Sequence, residues 1–439
     1  MSSFTTTRGG PEVGLAEAVF RGLAPDGGLF VPAWVPRLPD PGSVPASGVS
    51  GGWGRATTDF GSAARWAAPA FFPGIDPEAL GGVVDRGLDF PVHLVEVEAG
   101  RWVLELFHGP TAAFKDVGAR FMAGLVELLD GPSPAGGTRT VLVATSGDTG
   151  GAVASAFHGS PGSRVVVLFP EGGISARQRR QMTTLGGNVQ ALAVRGTFDD
   201  CQRLVKAAFA DPEARERHAL TSANSINVAR LLPQAFYYVH SALRLGTVRF
   251  VVPSGNLGNL CAGLFAARAG MPVAGFTAAL NRNRGVADYL QGTSFAPRPS
   301  VATSSSAMDV GDPSNLERIR WLFGGDDDAV RRAVQGAWVD DAETAATIAA
   351  VHDRTGYVLD PHTAVAYAVA ARHHRSSEGP VVVVSTAHPA KFPETVEDAI
   401  GRRVPVPDSL RIPDDAPERM TSIDATDAAL TRALDDVTR

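Results

Sequence analysis

Of forty Lys and Arg residues in this chain only three are lysine, Lys115, Lys206 and Lys391. The chemical difference between the two types is sharp: a desolvated ammonium can lose its proton and attack a carbonyl, whereas a guanidinium stays charged. Lys115 closes the segment His-Gly-Pro-Thr-Ala-Ala-Phe-Lys-Asp, residues 108–116. A short turn running into an apolar helix is an odd setting for a solvated charge, and a Schiff-base lysine fits it. The plain alternative is a helix N-terminus whose lysine snorkels to water.

Three further segments are chemically unusual. Residues 144–151 read Ala-Thr-Ser-Gly-Asp-Thr-Gly-Gly, where hydroxyls and backbone N–H groups at a helix start form a receptor for a carboxylate. An N-capping turn using Ser146, Asp148 or Thr149 is the alternative. Residues 253–259 read Pro-Ser-Gly-Asn-Leu-Gly-Asn. Gly255 and Gly258 let the backbone approach a ligand, and the following helix dipole favours a phosphate. No Gly-Lys-Ser/Thr follows and the spacing is not Gly-x-Gly-x-x-Gly, so a dinucleotide is disfavoured. Residues 384–392, Val-Ser-Thr-Ala-His-Pro-Ala-Lys-Phe, place Thr386 at a strand end, able to offer a neutral hydroxyl to a ring nitrogen. His388 and Lys391 follow, and a capped strand end is the alternative. A reactive lysine, a phosphate seat, a carboxylate loop and a hydroxyl partner together describe pyridoxal phosphate meeting an amino acid.

The elements that must hold these loops alternate. Several of the apolar runs at 102–107, 140–145, 164–169, 189–194, 248–252, 273–279 and 381–386 are continuous rather than alternating, as in strands covered on both faces. Between them 115–130, 225–244 and 341–355 carry apolar residues at helical spacing. Such alternation predicts an α/β fold with largely parallel sheets, whose ligands gather beyond the carboxyl ends of the strands. Residues 38–54, rich in Pro, Gly and Ser, predict a surface loop. Four consecutive segments are expected: 1–95, 96–220 with Lys115, 221–402 with the phosphate seat and Thr386, and a tail with a C-terminal helix over 403–439.

The totals exclude other classes. A hydrophobic share of 44% with a net charge of −6 gives no reason to expect nucleic acid. No apolar run approaches the roughly 18 residues of a membrane span, and no signal peptide is read at the N-terminus, so a cytoplasmic protein is expected. Cys201 and Cys261 suggest neither a disulfide frame nor a metal site.

On these motifs the chain resembles the threonine synthases, fold-type-II pyridoxal phosphate enzymes built like the β-subunit of tryptophan synthase. The lysine segment and 144–150 carry the resemblance, together with Thr-Thr-Arg-Gly near the start, 22–32, Gly-Thr-Phe-Asp-Asp-Cys (196–201), Asn-Ser-Ile-Asn-Val-Ala-Arg (224–230), 254–259 and Ala-Met-Asp-Val-Gly-Asp-Pro (307–313). The longer N-terminal region is similar to the bacterial and fungal branch. The resemblance implies two α/β domains with the cofactor between them, plus an N-terminal region. It implies that Lys115 is the catalytic residue and carries the cofactor, that Gly255, Asn256, Leu257, Gly258 and Asn259 seat its phosphate, and that Thr386 faces the pyridine nitrogen. Asp148, where relatives often have Asn, falls near the ring hydroxyl. Ser146 and Thr149 are the implied partners of the substrate carboxylate. Ser175, Gln178, Arg180, Asn227 and Arg230 are implied for the substrate phosphate, with Arg180 standing where the family more often has Lys. Leu257 replaces a commoner Phe. The implied activity is that of a lyase converting O-phospho-L-homoserine and water to L-threonine and phosphate, as a monomer or homodimer. A phospholyase or a γ/β-replacement enzyme acting on a phosphorylated amino acid is the alternative. His388 and Lys391 either touch substrate or order the last loop.

Overall fold

In the computed structural model, residues 3–34, 36–44, 52–56, 58–130, 138–145, 147–375 and 378–438 are described. The chain divides into two compact units, each discontinuous in sequence. Met1–Ala33, Lys115–Arg230 and Ser409–Arg439 form the first, Trp34–Phe114 and Leu231–Asp408 the second.

The first unit is built on a five-stranded parallel sheet. Its spatial order is Thr421–Asp424, Val189–Arg195, Ser163–Pro170, Arg139–Ala144, Leu220–Ser222. Residues 141–143 and 165–168 are fully buried, which explains their unbroken apolar sequence. The C-terminal segment is part of this sheet rather than a separate tail. Ile423, Leu430 and Leu434 complete an apolar cluster with Leu142, Val166, Leu192 and Leu204. The N-terminus joins the same unit through a small antiparallel sheet of Ser3–Thr6, Val13–Gly14 and Phe30–Pro32. Its helix Leu15–Arg21 packs on Leu220–Ser222, where the Val19 carbonyl accepts from Thr221 Oγ1 at 3.3 Å and Asn227 Nδ2 at 2.8 Å.

The second unit carries a six-stranded sheet in the order Val334–Trp338, Val273–Leu280, Val248–Pro253, Val381–Ser385, Arg101–Glu105, His93–Glu98. Every pairing is parallel except the last. Helices Phe60–Phe71 and Pro77–Gly87 belong here, the first packed on Ala235–Leu245 with Phe71 edge-on to Phe236. The division therefore differs from the four consecutive segments expected, because strand pairing draws both chain ends to the first unit.

The expected α/β architecture is present, and helices Lys115–Asp130 and Asp341–Thr355 span the residues their spacing predicts. The segment 225–244 is instead broken. Val228–Leu231 and Ala235–Leu245 flank a 3₁₀ turn, Leu232–Gln234, where Pro233 supplies no amide hydrogen. In the 38–54 loop Pro41–Ser43 forms a 3₁₀ turn, and 45–51 lie outside the described residues. No described helix is long and apolar enough to cross a membrane.

Burial has a titratable consequence in the second unit. His240, 1% exposed, has its pKa pushed down to about 4, chiefly by desolvation and then by Arg244. Unfolded, the same imidazole titrates near 6.5. Below that pH the unfolded chain takes up a proton that the folded chain refuses. Stability present above pH 6.5 is thus lost as pH falls toward 4. Urea unfolding at pH 6.5 and 4.5 is expected to show a loss of about 2 kcal/mol from this group. His240→Phe should remove that part of the slope, and an unchanged slope would assign the acid sensitivity elsewhere.

Candidate active site

Lys115 is the first residue of its helix, with its side chain 16% exposed and its Nζ 4.0 Å from Oδ2 of Asp148. Asp148 opens the helix Asp148–Phe157 and is buried. Its Oδ1 accepts from Nε2 of Gln178 at 3.2 Å. Gln178 in turn closes a capping box with Ser175 at the start of Ala176–Thr183. Lys115, Asp148, Gln178 and Ser175 are thereby strung together, an amine and a carboxylate held by a neutral amide. Thr149 is half-buried on the first turn beside Asp148. Ser146 lies outside the described residues.

The residue that shapes this turn is Thr145, which sequence reading did not single out. Its hydroxyl accepts from the Gly147 and Gly150 N–H groups at 3.0 and 2.9 Å and donates to the Gly147 carbonyl at 2.9 Å. The available signal was a hydroxyl residue between an apolar strand and a glycine-rich turn. Thr145 thereby satisfies the Gly147 and Gly150 N–H groups at a helix start whose cap, Gly147, has no side chain to do so.

Three other expected site residues are engaged within the first unit. Asn227 is fully buried, donates to Val19 O and Ser222 O, each at 2.8 Å, and accepts from Ala229 N at 2.9 Å. Both amide hydrogens are thus used, one within its own loop and one on the helix Leu15–Arg21. Arg230 is 3% exposed and donates to the Ala223 carbonyl, and burial pulls its pKa down to about 10 against the opposing pull of Asp116. Arg180 reaches the Pro413 carbonyl and stands 3.7 Å from Glu418, a carboxylate that also pairs with Arg179 at 2.8 Å.

In the second unit, Val248–Pro253 and Val381–Ser385 run parallel with Val251 opposite Val383. The turn 254–257 and Thr386 therefore follow the carboxyl ends of neighbouring strands, as expected for a ligand site. Leu257 adopts φ 61°, ψ 6°, a left-handed conformation that costs a leucine about 1 kcal/mol or more. It caps the 11-residue helix Gly258–Arg268 without any side-chain hydrogen bond. A side chain at Gly255 would stand 2.9 Å from Met308 Cα and 3.0 Å from Ala307 O, so only glycine permits that approach. Asn256 Oδ1 accepts from Ser314 N at 2.6 Å, and its carbonyl accepts from Asn315 Nδ2 at 3.0 Å. Asn259 Oδ1 accepts from the hydroxyls of Tyr237 and Tyr238, both at 2.6 Å. Its Nδ2 is buried without a partner among the described residues.

The segment before Lys115 is clamped to the Thr386 loop. Phe114 N donates to Thr386 O at 2.9 Å, His388 N to Ala112 O at 3.0 Å, and Lys391 Nζ to Thr111 O at 2.7 Å. This fixes Ala112, itself left-handed at φ 51°. Lys391, 2% exposed, orders this loop, and His388 Nδ1 accepts from Ala390 N at 3.1 Å.

A strained helix start with no side-chain cap and a buried amide donor without a partner among the described residues suits an anion such as a phosphate. Within the second unit that helix start and the strand-end hydroxyl of Thr386 suit a phosphorylated pyridine, and within the first unit the amine beside a buried carboxylate suits an aldehyde. The comparisons agree with this class. The model of the pyridoxal-phosphate dependent enzymes matches residues 94–387. Models of the threonine synthase N terminus and C-terminal region match 3–44 and 363–434. A threonine synthase of Haemophilus influenzae is 40% identical over 91% of each chain. Among solved structures, a PLP-bound threonine synthase from Brucella melitensis superposes with a TM-score of 0.89 at 34% identity over 100% of both chains. The Escherichia coli enzyme gives 0.87 at 36% identity over 99% of each. The chain belongs to the threonine synthase family.

Proposed function

We propose that the chain converts O-phospho-L-homoserine and water to L-threonine and phosphate, with Lys115 as the residue that carries pyridoxal phosphate. The observation supporting this most is the Lys115–Asp148 pair, an amine 4.0 Å from a carboxylate on a buried helix start, in a chain nearly devoid of lysine. The cofactor, when bound, supplies an electron sink for carbanions at the substrate carbons. Lys115 Nζ takes and returns the proton at the substrate α-carbon. Asp148, oriented by Gln178, holds the ammonium form that this transfer creates. The N–H groups opening Gly258–Arg268 and Asn259 Nδ2 bind the cofactor phosphate, and the Thr386 hydroxyl meets the ring nitrogen. Ser146 and Thr149 take the substrate carboxylate.

Incubation with O-phospho-L-homoserine is expected to give threonine and phosphate in equal amounts. Phosphate accompanied by 2-oxobutyrate would make the chain a phospholyase instead, and no phosphate would overturn the substrate.

Asn259 offers a direct check on the phosphate seat. Asn259→Asp keeps the acceptor for the two tyrosines but turns the orphaned donor into a negative oxygen. Affinity of the apoprotein for pyridoxal phosphate is expected to fall about tenfold to a hundredfold, more than for Asn259→Ala, since charge is added as well as a donor lost. Fluorescence titration measures both, and equal affinities would remove Asn259 from the seat.

A further inference from the structure

Behind the phosphate turn and Thr386 lies one buried carboxylate that serves both. Asp360, 1% exposed, precedes the helix Pro361–His373 and accepts from its first amides, His362 N at 3.0 Å and Thr363 N at 3.4 Å. A helix cap needs no more than that, and Asn or Ser would serve equally. Two side-chain arms leave the same carboxylate.

The first arm runs through His362, 2% exposed, whose Nδ1 lies 2.9 Å from Asp360 Oδ1. Its Nε2 lies 3.2 Å from the backbone nitrogen of Ala307. An amide N–H can only donate, so Nε2 is the lone-pair nitrogen and Nδ1 carries the proton given to Asp360. The carboxylate thereby fixes the tautomer that holds Ala307 in place. Ala307 and Met308 are the backbone atoms against which Gly255 packs. The second arm runs through Thr363, whose hydroxyl bonds Asp360 Oδ2 and lies 2.9 Å from Ser385 Oγ. Because a carboxylate only accepts, Thr363 gives its one proton to Asp360 and Ser385 gives its own to Thr363. Ser385 immediately precedes Thr386.

We propose that Asp360 is a positioning residue for the cofactor site, setting the wall behind the phosphate turn through His362 and the orientation at the Thr386 strand end through Thr363. This rests on the reading that residues 255–259 seat the cofactor phosphate. His362→Asn keeps a donor toward Asp360 but no longer reaches Ala307, whereas His362→Gln keeps an acceptor for the Ala307 N–H. Asp360→Asn preserves the helix cap but presents a donor to Thr363, which reverses the hydroxyl chain to Ser385.

The test is titration of the full-length apoprotein with pyridoxal 5′-phosphate and, separately, with pyridoxal, which lacks the phosphate. Thermal unfolding of each apoprotein reports whether it is folded. The wild type is expected to prefer the phosphorylated form. His362→Asn should narrow that preference about tenfold or more, the cost of one orphaned buried amide, and His362→Gln should largely restore it. Asp360→Asn should shift the absorbance of the bound cofactor as Thr363→Val does and Thr363→Ser does not. A wild type that prefers pyridoxal phosphate while the His362→Asn and His362→Gln preferences both equal its own would overturn the positioning role and leave the phosphate seat standing. A wild type with no preference would overturn the seat itself, and this proposal with it. Should His362→Asn prove unfolded, the Thr363→Val and Thr363→Ser spectra decide: identical spectra overturn the proposal, a shift confined to the valine supports it.

Discussion

Lys115→Ala is expected to remain folded, to lose its covalent hold on pyridoxal phosphate and to fall at least about a thousandfold in turnover. The fold should survive because alanine is the best helix former and position 115 is the first of a 16-residue helix. The 4.0 Å pair with Asp148 is a small contribution to stability for a side chain in partial contact with water. Chemistry suffers far more, since no other amine is placed to replace it. Lys391 is committed to the Thr111 carbonyl at 2.7 Å, and Lys206 is exposed on Phe198–Ala210. Borohydride reduction of the loaded protein followed by peptide mass analysis should place the cofactor on the peptide containing Lys115. Lys206→Ala should leave that mass and the turnover unchanged. A cofactor mass on another peptide, or near-normal turnover in Lys115→Ala, would end the assignment.

Much of the scaffold was legible because parallel strands buried on both faces must be apolar throughout. The runs ending at Ala144, Pro170 and Ser385 match that demand, and the loops after them hold residues proposed for the site. Strands whose reason to exist is a partner far away in sequence left no such trace. Thr421–Asp424 is mostly exposed and polar, and its partner strand Val189–Arg195, joined also by the Arg195–Asp424 ion pair, lies some two hundred residues earlier. Leu220–Ser222 is short as well, and its partner Arg139–Ala144 is likewise distant in the chain. Within the site, residue type was readable but partnership was not. Asn227 carries the groups a phosphate site would use, yet the Val19 carbonyl that takes one of its hydrogens comes from a helix some two hundred residues earlier. Asp360 reads in sequence as an ordinary cap before Pro361. Only the fold brings Ala307 and Ser385 to its two neighbours.

Gly147→Ala should cost the chain its arrangement of Asp148 without costing it its fold. Gly147 has φ 145° and ψ −109°, a region that residues with a β-carbon avoid, so the backbone alone loses about 1–3 kcal/mol. The added methyl would collide with Gln178 Nε2. That atom is the end of a flexible side chain, so Gln178 gives way, and with it goes the 3.2 Å bond to Asp148 and the capping box with Ser175. Turnover is expected to fall about tenfold to a hundredfold beyond any change in the folded fraction, because Asp148 without its Gln178 bond is less well oriented beside Lys115. A double-mutant cycle separates the two causes. If displacement of Gln178 carries the loss, Gly147→Ala should cost much less turnover in a Gln178→Ala background than in the wild type. Equal costs in both backgrounds would assign the effect to backbone strain at the turn, and the amide between Ser175 and Asp148 would then have no part in holding the carboxylate.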